Sequence, residues 1–205
     1  MSRIKLCGLS RTRDVEAANE LEPDYVGFVF APKSKRCVMP DEARMLRSML
    51  VPGITTVGVF VNEKPEQVAV LLNAGIIDVA QLHGDEDGIY VRQLRELTDK
   101  PLIQAFRIIS DRDADSANES TADYVLLDSG AGTGTTFDWR LAARVERPYF
   151  LAGGLNPGNV AEAIRRLDPY AVDVSSGIET DGVKDVTKMA AFVAAVRSER
   201  NEDHD

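Results

Sequence analysis

Thr55-Thr56-Val57-Gly58-Val59-Phe60-Val61 carries apolar side chains at consecutive positions. A strand with one wet face alternates in polarity, whereas a strand covered on both faces does not. The run stops at Asn62, and Pro65-Glu66 then opens a helical stretch with Val68, Leu71 and Leu72 on one face. This is one β-then-α unit, and its doubly covered strand belongs in a parallel sheet. The same unit recurs on both sides. Apolar runs lie at 4–6, 25–30, 77–80, 102–106, 124–127, 149–152 and 170–174. Helix-like stretches follow at 13–20, 40–50, 85–97, 111–119, 137–145, 157–167 and 185–196, that at 111–119 short and polar. Eight units are the count that closes a single-domain (β/α)8 TIM barrel. An open doubly wound sheet would instead place a glycine-rich dinucleotide turn after the first strand, where Cys7-Gly8-Leu9-Ser10 stands.

A chain of 205 residues fits one such barrel with little room for insertions. The barrel is expected over residues 1–197, with an acidic, disordered tail at 198–205. A net charge of −9 argues against nonspecific nucleic-acid binding. No apolar stretch approaches the ~20 residues of a membrane span, and the N-terminus shows no signal-peptide core, so a cytoplasmic protein is expected. Two cysteines without metal-ligand spacing and two histidines, one in the tail, leave no zinc site to expect.

In a barrel the chemistry gathers where the strands end. Cys7 follows the first run and reads either as a small buried hydrophobe or as a reactive thiol. Asp128 closes the sixth run, Val125-Leu126-Leu127-Asp128, as a rim carboxyl or a loop cap. A thiolate and a carboxyl could move a proton in a sugar as base and acid. Lys5, two residues before Cys7, points to the same side of the strand. Arg36 reads as an anion ligand or a surface arginine, and His83 as a proton donor or a hydrogen-bonded rim residue. Gly132 and Gly134 follow Asp128 and suggest a lid. Gly153-Gly154 and Ser175-Ser176-Gly177 follow the last two runs, where backbone N–H groups and a short helix could take one phosphomonoester.

Several segments, in order, carry a resemblance. They include Ile4-Lys5-Leu6-Cys7-Gly8, Gly27-Phe28-Val29-Phe30-Ala31-Pro32-Lys33-Ser34-Lys35-Arg36, Gln81-Leu82-His83-Gly84 and Leu126-Leu127-Asp128. Gly132-Thr133-Gly134-Thr135-Thr136-Phe137-Asp138-Trp139, Leu151-Ala152-Gly153-Gly154-Leu155-Asn156-Pro157 and Asp173-Val174-Ser175-Ser176-Gly177-Ile178-Glu179 complete it. The chain resembles the phosphoribosylanthranilate isomerase family of tryptophan biosynthesis. The resemblance implies a cofactor-free barrel, monomer or homodimer, whose small-molecule substrate is phosphoribosylanthranilate. It implies an Amadori rearrangement in which Asp128 is the general acid and Cys7 the general base. Arg36 would hold the anthranilate carboxylate, and the loops at 153–154 and 175–177 the phosphate. The sequence departs from the family at Lys35, Cys37 and Ala131. A histidine-pathway isomerase performing the same rearrangement would carry an aspartate where Cys7 stands and a second phosphate site; a noncatalytic scaffold would need neither Cys7 nor Asp128.

Overall fold

A computed structural model describes residues 2–128 and 139–202. Eight parallel strands close into a barrel in sequence order. They are β1 (Arg3–Cys7), β2 (Tyr25–Val29), β3 (Thr55–Phe60), β4 (Val79–Leu82), β5 (Leu102–Arg107), β6 (Tyr124–Asp128), β7 (Tyr149–Ala152) and β8 (Ala171–Val174). The helices between and after them are α1 (Thr12–Leu21), α2 (Pro40–Ser48), α3 (Pro65–Asn73), α4 (Gly88–Arg95), α5 (Asp111–Glu119), α6 (Trp139–Ala142), α7 (Val160–Leu167) and α8 (Val186–Glu202). After β8 a 3₁₀ turn (Ser176–Ile178) leads into a small hairpin, β9 (Glu179–Thr180) and β10 (Val183–Lys184). The expected TIM barrel is the observed fold.

The departures are local. β4 starts at Val79 rather than at 77, because Ile76 and Ile77 are buried in the turn out of α3. Burial makes that turn as apolar as the strand, so an apolar run alone overreads the start. The polar fifth helix forms in full. Asp113 accepts the Ser110 backbone N–H at 2.8 Å and the Ile109 N–H at 3.0 Å, and Ala114 and Ala117 give a small buried face. α6 is one turn long, with residues 137–138 outside the described ones. The tail expected at 198–205 begins inside α8, which continues to Glu202.

Period-two alternation sends each strand's side chains to two different cores. Ile4, Leu6, Val26, Phe28, Leu82, Leu127 and Val172 join helix residues such as Val15, Leu46 and Phe192 in the outer core. Tyr25, Val57, Val79, Ile103, Leu126 and Phe150 form a separate inner core. At the N-terminal end of the barrel, Tyr25, Tyr124, Phe150 and Tyr170 pack edge-on and stacked, with the Arg3 guanidinium over the Tyr170 ring. The interior is thus plugged at one end and open only at the other.

A repeated device sets the stagger between strand pairs. Asp24, Asp78 and Asp123 each immediately precede an even-numbered strand, and each accepts a backbone N–H from the odd-numbered neighbour. The donors are Ile4 at 2.8 Å, Thr56 at 2.9 Å and Leu102 at 2.7 Å. Arg47 backs Asp78 at 2.6 Å, and Arg95 backs Asp123. A charged acceptor on an otherwise unpaired strand N–H makes a strong hydrogen bond.

Candidate active site

The strand ends of this open rim surround one cavity of about 280 Å³. Cys7 enters it from the end of β1, Gln81 and His83 from the end of β4, and Asp128 from the end of β6. Arg36 reaches it from the loop after β2, and Gly153, Gly154, Ser175 and Ser176 come from the loops after β7 and β8. The residues singled out from sequence are therefore brought together. Gly177 stands just behind them, backed against the Leu155 carbonyl. Gly132 and Gly134, expected as a lid, lie outside the described residues.

Cys7 is buried, 7% exposed, and its environment is charged. Lys5 is the next inward residue on β1. Its ammonium is fully buried and paired to Asp173 at 2.9 Å. The pair follows from barrel closure, since Lys5 and Asp173 are register partners on β1 and β8. Burial works to discharge Lys5, but Asp173 and the Cys7 sulfur more than offset it and its pKa is raised. Burial pushes the Cys7 thiol up. Lys5 and Lys184 pull it down, Asp173 pushes it up, and the balance leaves it above the ordinary cysteine value. Burial thus favours the neutral thiol, while the neighbouring cation favours its ionisation. Asp173 Oδ1 is buried and has no hydrogen-bond partner among the described residues.

Asp128 faces His83, whose Nε2 lies 3.3 Å from the carboxylate Oδ2. His83 Nδ1 lies 2.8 Å from the Gln81 side-chain amide. His83 is thus a hydrogen-bonded rim residue. Arg36 is already engaged: its Nε and Nη2 donate to Glu179 Oε1 and Oε2 at 2.6 and 2.7 Å. That bidentate bond is the largest cause holding the Arg36 pKa up. Burial raises the Glu179 carboxyl, yet Arg36 and Lys184 reverse the shift and hold it below its usual range. Gly153 and Gly154 both have positive φ, at 90° and 68°, which turns the chain sharply after β7. Asn156 and Asn159 donate to the Gly154 carbonyl at 3.3 and 3.0 Å and fix that loop.

Sequence reading missed Gln81, Asp173, Glu179 and Lys184. Gln81 and Asp173 carried a signal: each is a polar residue inside an apolar strand, on the inward register. Lys184 carried none, because it arrives on a hairpin from outside the eight repeated units.

A family model described as "PRAI: N-(5'phosphoribosyl)anthranilate (PRA) isomerase" matches residues 4–195. The chain belongs to the phosphoribosylanthranilate isomerase family. It is an enzyme, an isomerase, on a TIM-barrel frame. The N-(5'-phosphoribosyl)anthranilate isomerase of Endomicrobium trichonymphae is 44% identical over 203 residues, covering 97% of this chain and all of that one. The crystal structure of the Thermotoga maritima phosphoribosyl anthranilate isomerase is similar at 38% identity, with a TM-score of 0.86 and 97% and 100% coverage. Another solved family member is in complex with reduced 1-(o-carboxyphenylamino)-1-deoxyribulose 5-phosphate. It has a TM-score of 0.84 at 37% identity and the same coverage.

Proposed function

We propose that this isomerase converts N-(5-phosphoribosyl)anthranilate to 1-(2-carboxyphenylamino)-1-deoxyribulose 5-phosphate in tryptophan biosynthesis, with Asp128 as general acid and Cys7 as general base. The observation that carries the reading is that Cys7 and Asp128 line one cavity from separate strands, with an arginine and two glycine/serine loops around it. Asp128 donates a proton to the ribose ring oxygen. The C1′–O bond breaks, and the anthranilate nitrogen lone pair forms the C1′=N iminium. Cys7 then removes the C2′ proton, and the released electron pair forms C1′=C2′ and neutralises the nitrogen. The enolamine ketonises by losing its hydroxyl proton and gaining one at C1′.

The electrostatics support this division of labour. The iminium adds a positive charge next to C2′, and Lys5 supplies a fixed one beneath the thiol. Both favour the thiolate once substrate is bound. Arg36 holds the anthranilate carboxylate, and the loops at Gly153-Gly154 and Ser175-Ser176-Gly177 hold the phosphate, whose binding energy aligns the ribose. No described helix is long and apolar enough to cross a membrane.

Cys7→Ala and Asp128→Asn are expected to lower kcat by about 10²–10⁴-fold or more while substrate binding and the unfolding midpoint change little. Turnover is followed by the loss of anthranilate fluorescence. A Cys7→Ala protein with near-wild-type kcat removes the thiol from the mechanism.

A further inference from the structure

Arg36 does not wait free for a ligand, and the reason extends to the phosphate loop. Its Nε and one N–H of Nη2 are spent on Glu179. Among the described residues its Nη1 has no partner, and Arg36 lines the cavity. One edge of the guanidinium fork is therefore clamped and the other is open. Glu179 is shared. Its Oε1 also accepts from Lys184 Nζ at 2.6 Å, and the same Nζ donates to the Ser175 carbonyl at 2.9 Å and to Ser175 Oγ at 3.3 Å.

Lys184 thus uses all three donors within the protein. It has no donor left for a substrate anion and instead fixes the Ser175 loop. Because Ser175 Oγ accepts from Lys184, its own O–H is left to donate into the cavity. The Glu179 and Lys184 side chains are only 6% and 2% exposed, and they face each other across β9 and β10. Two cations and one carboxylate leave one net positive charge at this corner, part of it exposed to the cavity through Arg36, and an arriving anion balances it.

We propose that Glu179 and Lys184 are positioning residues that brace the two anion-binding ends of the substrate site against each other. Glu179 clamps Arg36 so that its open edge meets a substrate carboxylate, and Lys184 ties that clamp to the Ser175 loop that meets the phosphate. The proposal rests on the roles given above to Arg36 and to that loop.

The test titrates anthranilate and inorganic phosphate separately into the full chain by calorimetry, for wild type, Glu179→Gln, Arg36→Met and Lys184→Met, with KM and kcat measured alongside. A charged, bidentate contact corresponds to about ten- to a hundredfold in affinity. Glu179→Gln is expected to weaken anthranilate by roughly that factor, and adding Arg36→Met to it brings no further loss. Both Glu179→Gln and Lys184→Met are expected to weaken phosphate. KM for substrate rises while kcat stays within a few-fold, and Glu179→Asp is intermediate. Folded Glu179→Gln protein with wild-type affinity for either probe overturns the brace. Wild-type anthranilate affinity in Arg36→Met instead overturns the reading of Arg36 on which it rests. Should Glu179→Gln fail to fold, wild-type affinities in Glu179→Asp overturn the proposal.

Discussion

Cys7 and Lys5 are two residues apart on one strand, and that spacing puts both side chains on the same face of it. What the pair does depends on a third group, Asp173, which pairs with the Lys5 ammonium and, with burial, pushes the thiol up against the pull of that cation. The sign of the outcome is testable. In a Cys37→Ser background one thiol remains, and its alkylation rate by iodoacetamide reports the thiolate fraction. The midpoint of that rate against pH is expected above the ~8.5 of a free cysteine. Lys5→Met removes a cation that lowers the Cys7 pKa, so the midpoint should move higher still. A midpoint at the ordinary value would mean that burial does not dominate at Cys7, and one that ignores Lys5→Met would mean that the ammonium does not act on the sulfur.

Between elements, close approach of the β7 and β8 loops shapes one side of the cavity. A Cβ at Gly177 would collide with the Leu155 carbonyl oxygen, which is backbone and cannot swing aside. Gly177→Ala must therefore push the two loops apart. We expect a loss of about 1–3 kcal/mol in unfolding free energy, of the kind seen for overpacking, together with weaker binding of inorganic phosphate. Gly88→Ala is the matched control. It sits at the start of α4, with only the Arg92 guanidinium within 4 Å of the added Cβ. Its stability should be unchanged or up to ~1 kcal/mol higher, as helix propensity predicts. Equal phosphate affinity in Gly177→Ala and wild type would show that loop separation does not govern the anion site.

Over the whole molecule, the aspartates before β2, β4 and β6 fasten strand pairs on the closed end, far from the cavity. Burial raises the Asp78 carboxyl, but Arg47 and Thr56 bonds outweigh it and its pKa is lowered. A depressed folded pKa contributes stability that is fully present above the unfolded value of about 3.9 and is lost as pH falls through the folded one. Urea unfolding of the wild type should thus weaken below about pH 4. Asp78→Asn should be less stable at pH 7, lose less on acidification, and keep its kcat. An unchanged acid slope in the variant would show that Asp78 is not among the carboxylates responsible.

The eight units, their order and the rim at the ends of the strands were legible along the chain. Doubly covered strands such as Thr55–Phe60 are largely apolar on both faces rather than alternating, and that pattern is written locally. The polar residue or glycine that closes nearly every run is equally local, which is why Cys7, Asp128 and His83 were legible as rim residues before any contact was known. The polar fifth helix was legible in its bounds, and the true start of β4 was not, because a buried turn is as apolar as the strand it leads into. Closure of the ring decided the rest. Lys5 meets Asp173 across 168 residues only because β1 and β8 become neighbours. Arg36 meets Glu179 across 143 residues only because the loops after β2 and β8 share one rim. Such pairs leave no periodic trace, since the energy that joins them depends on distance in space and not on spacing along the chain.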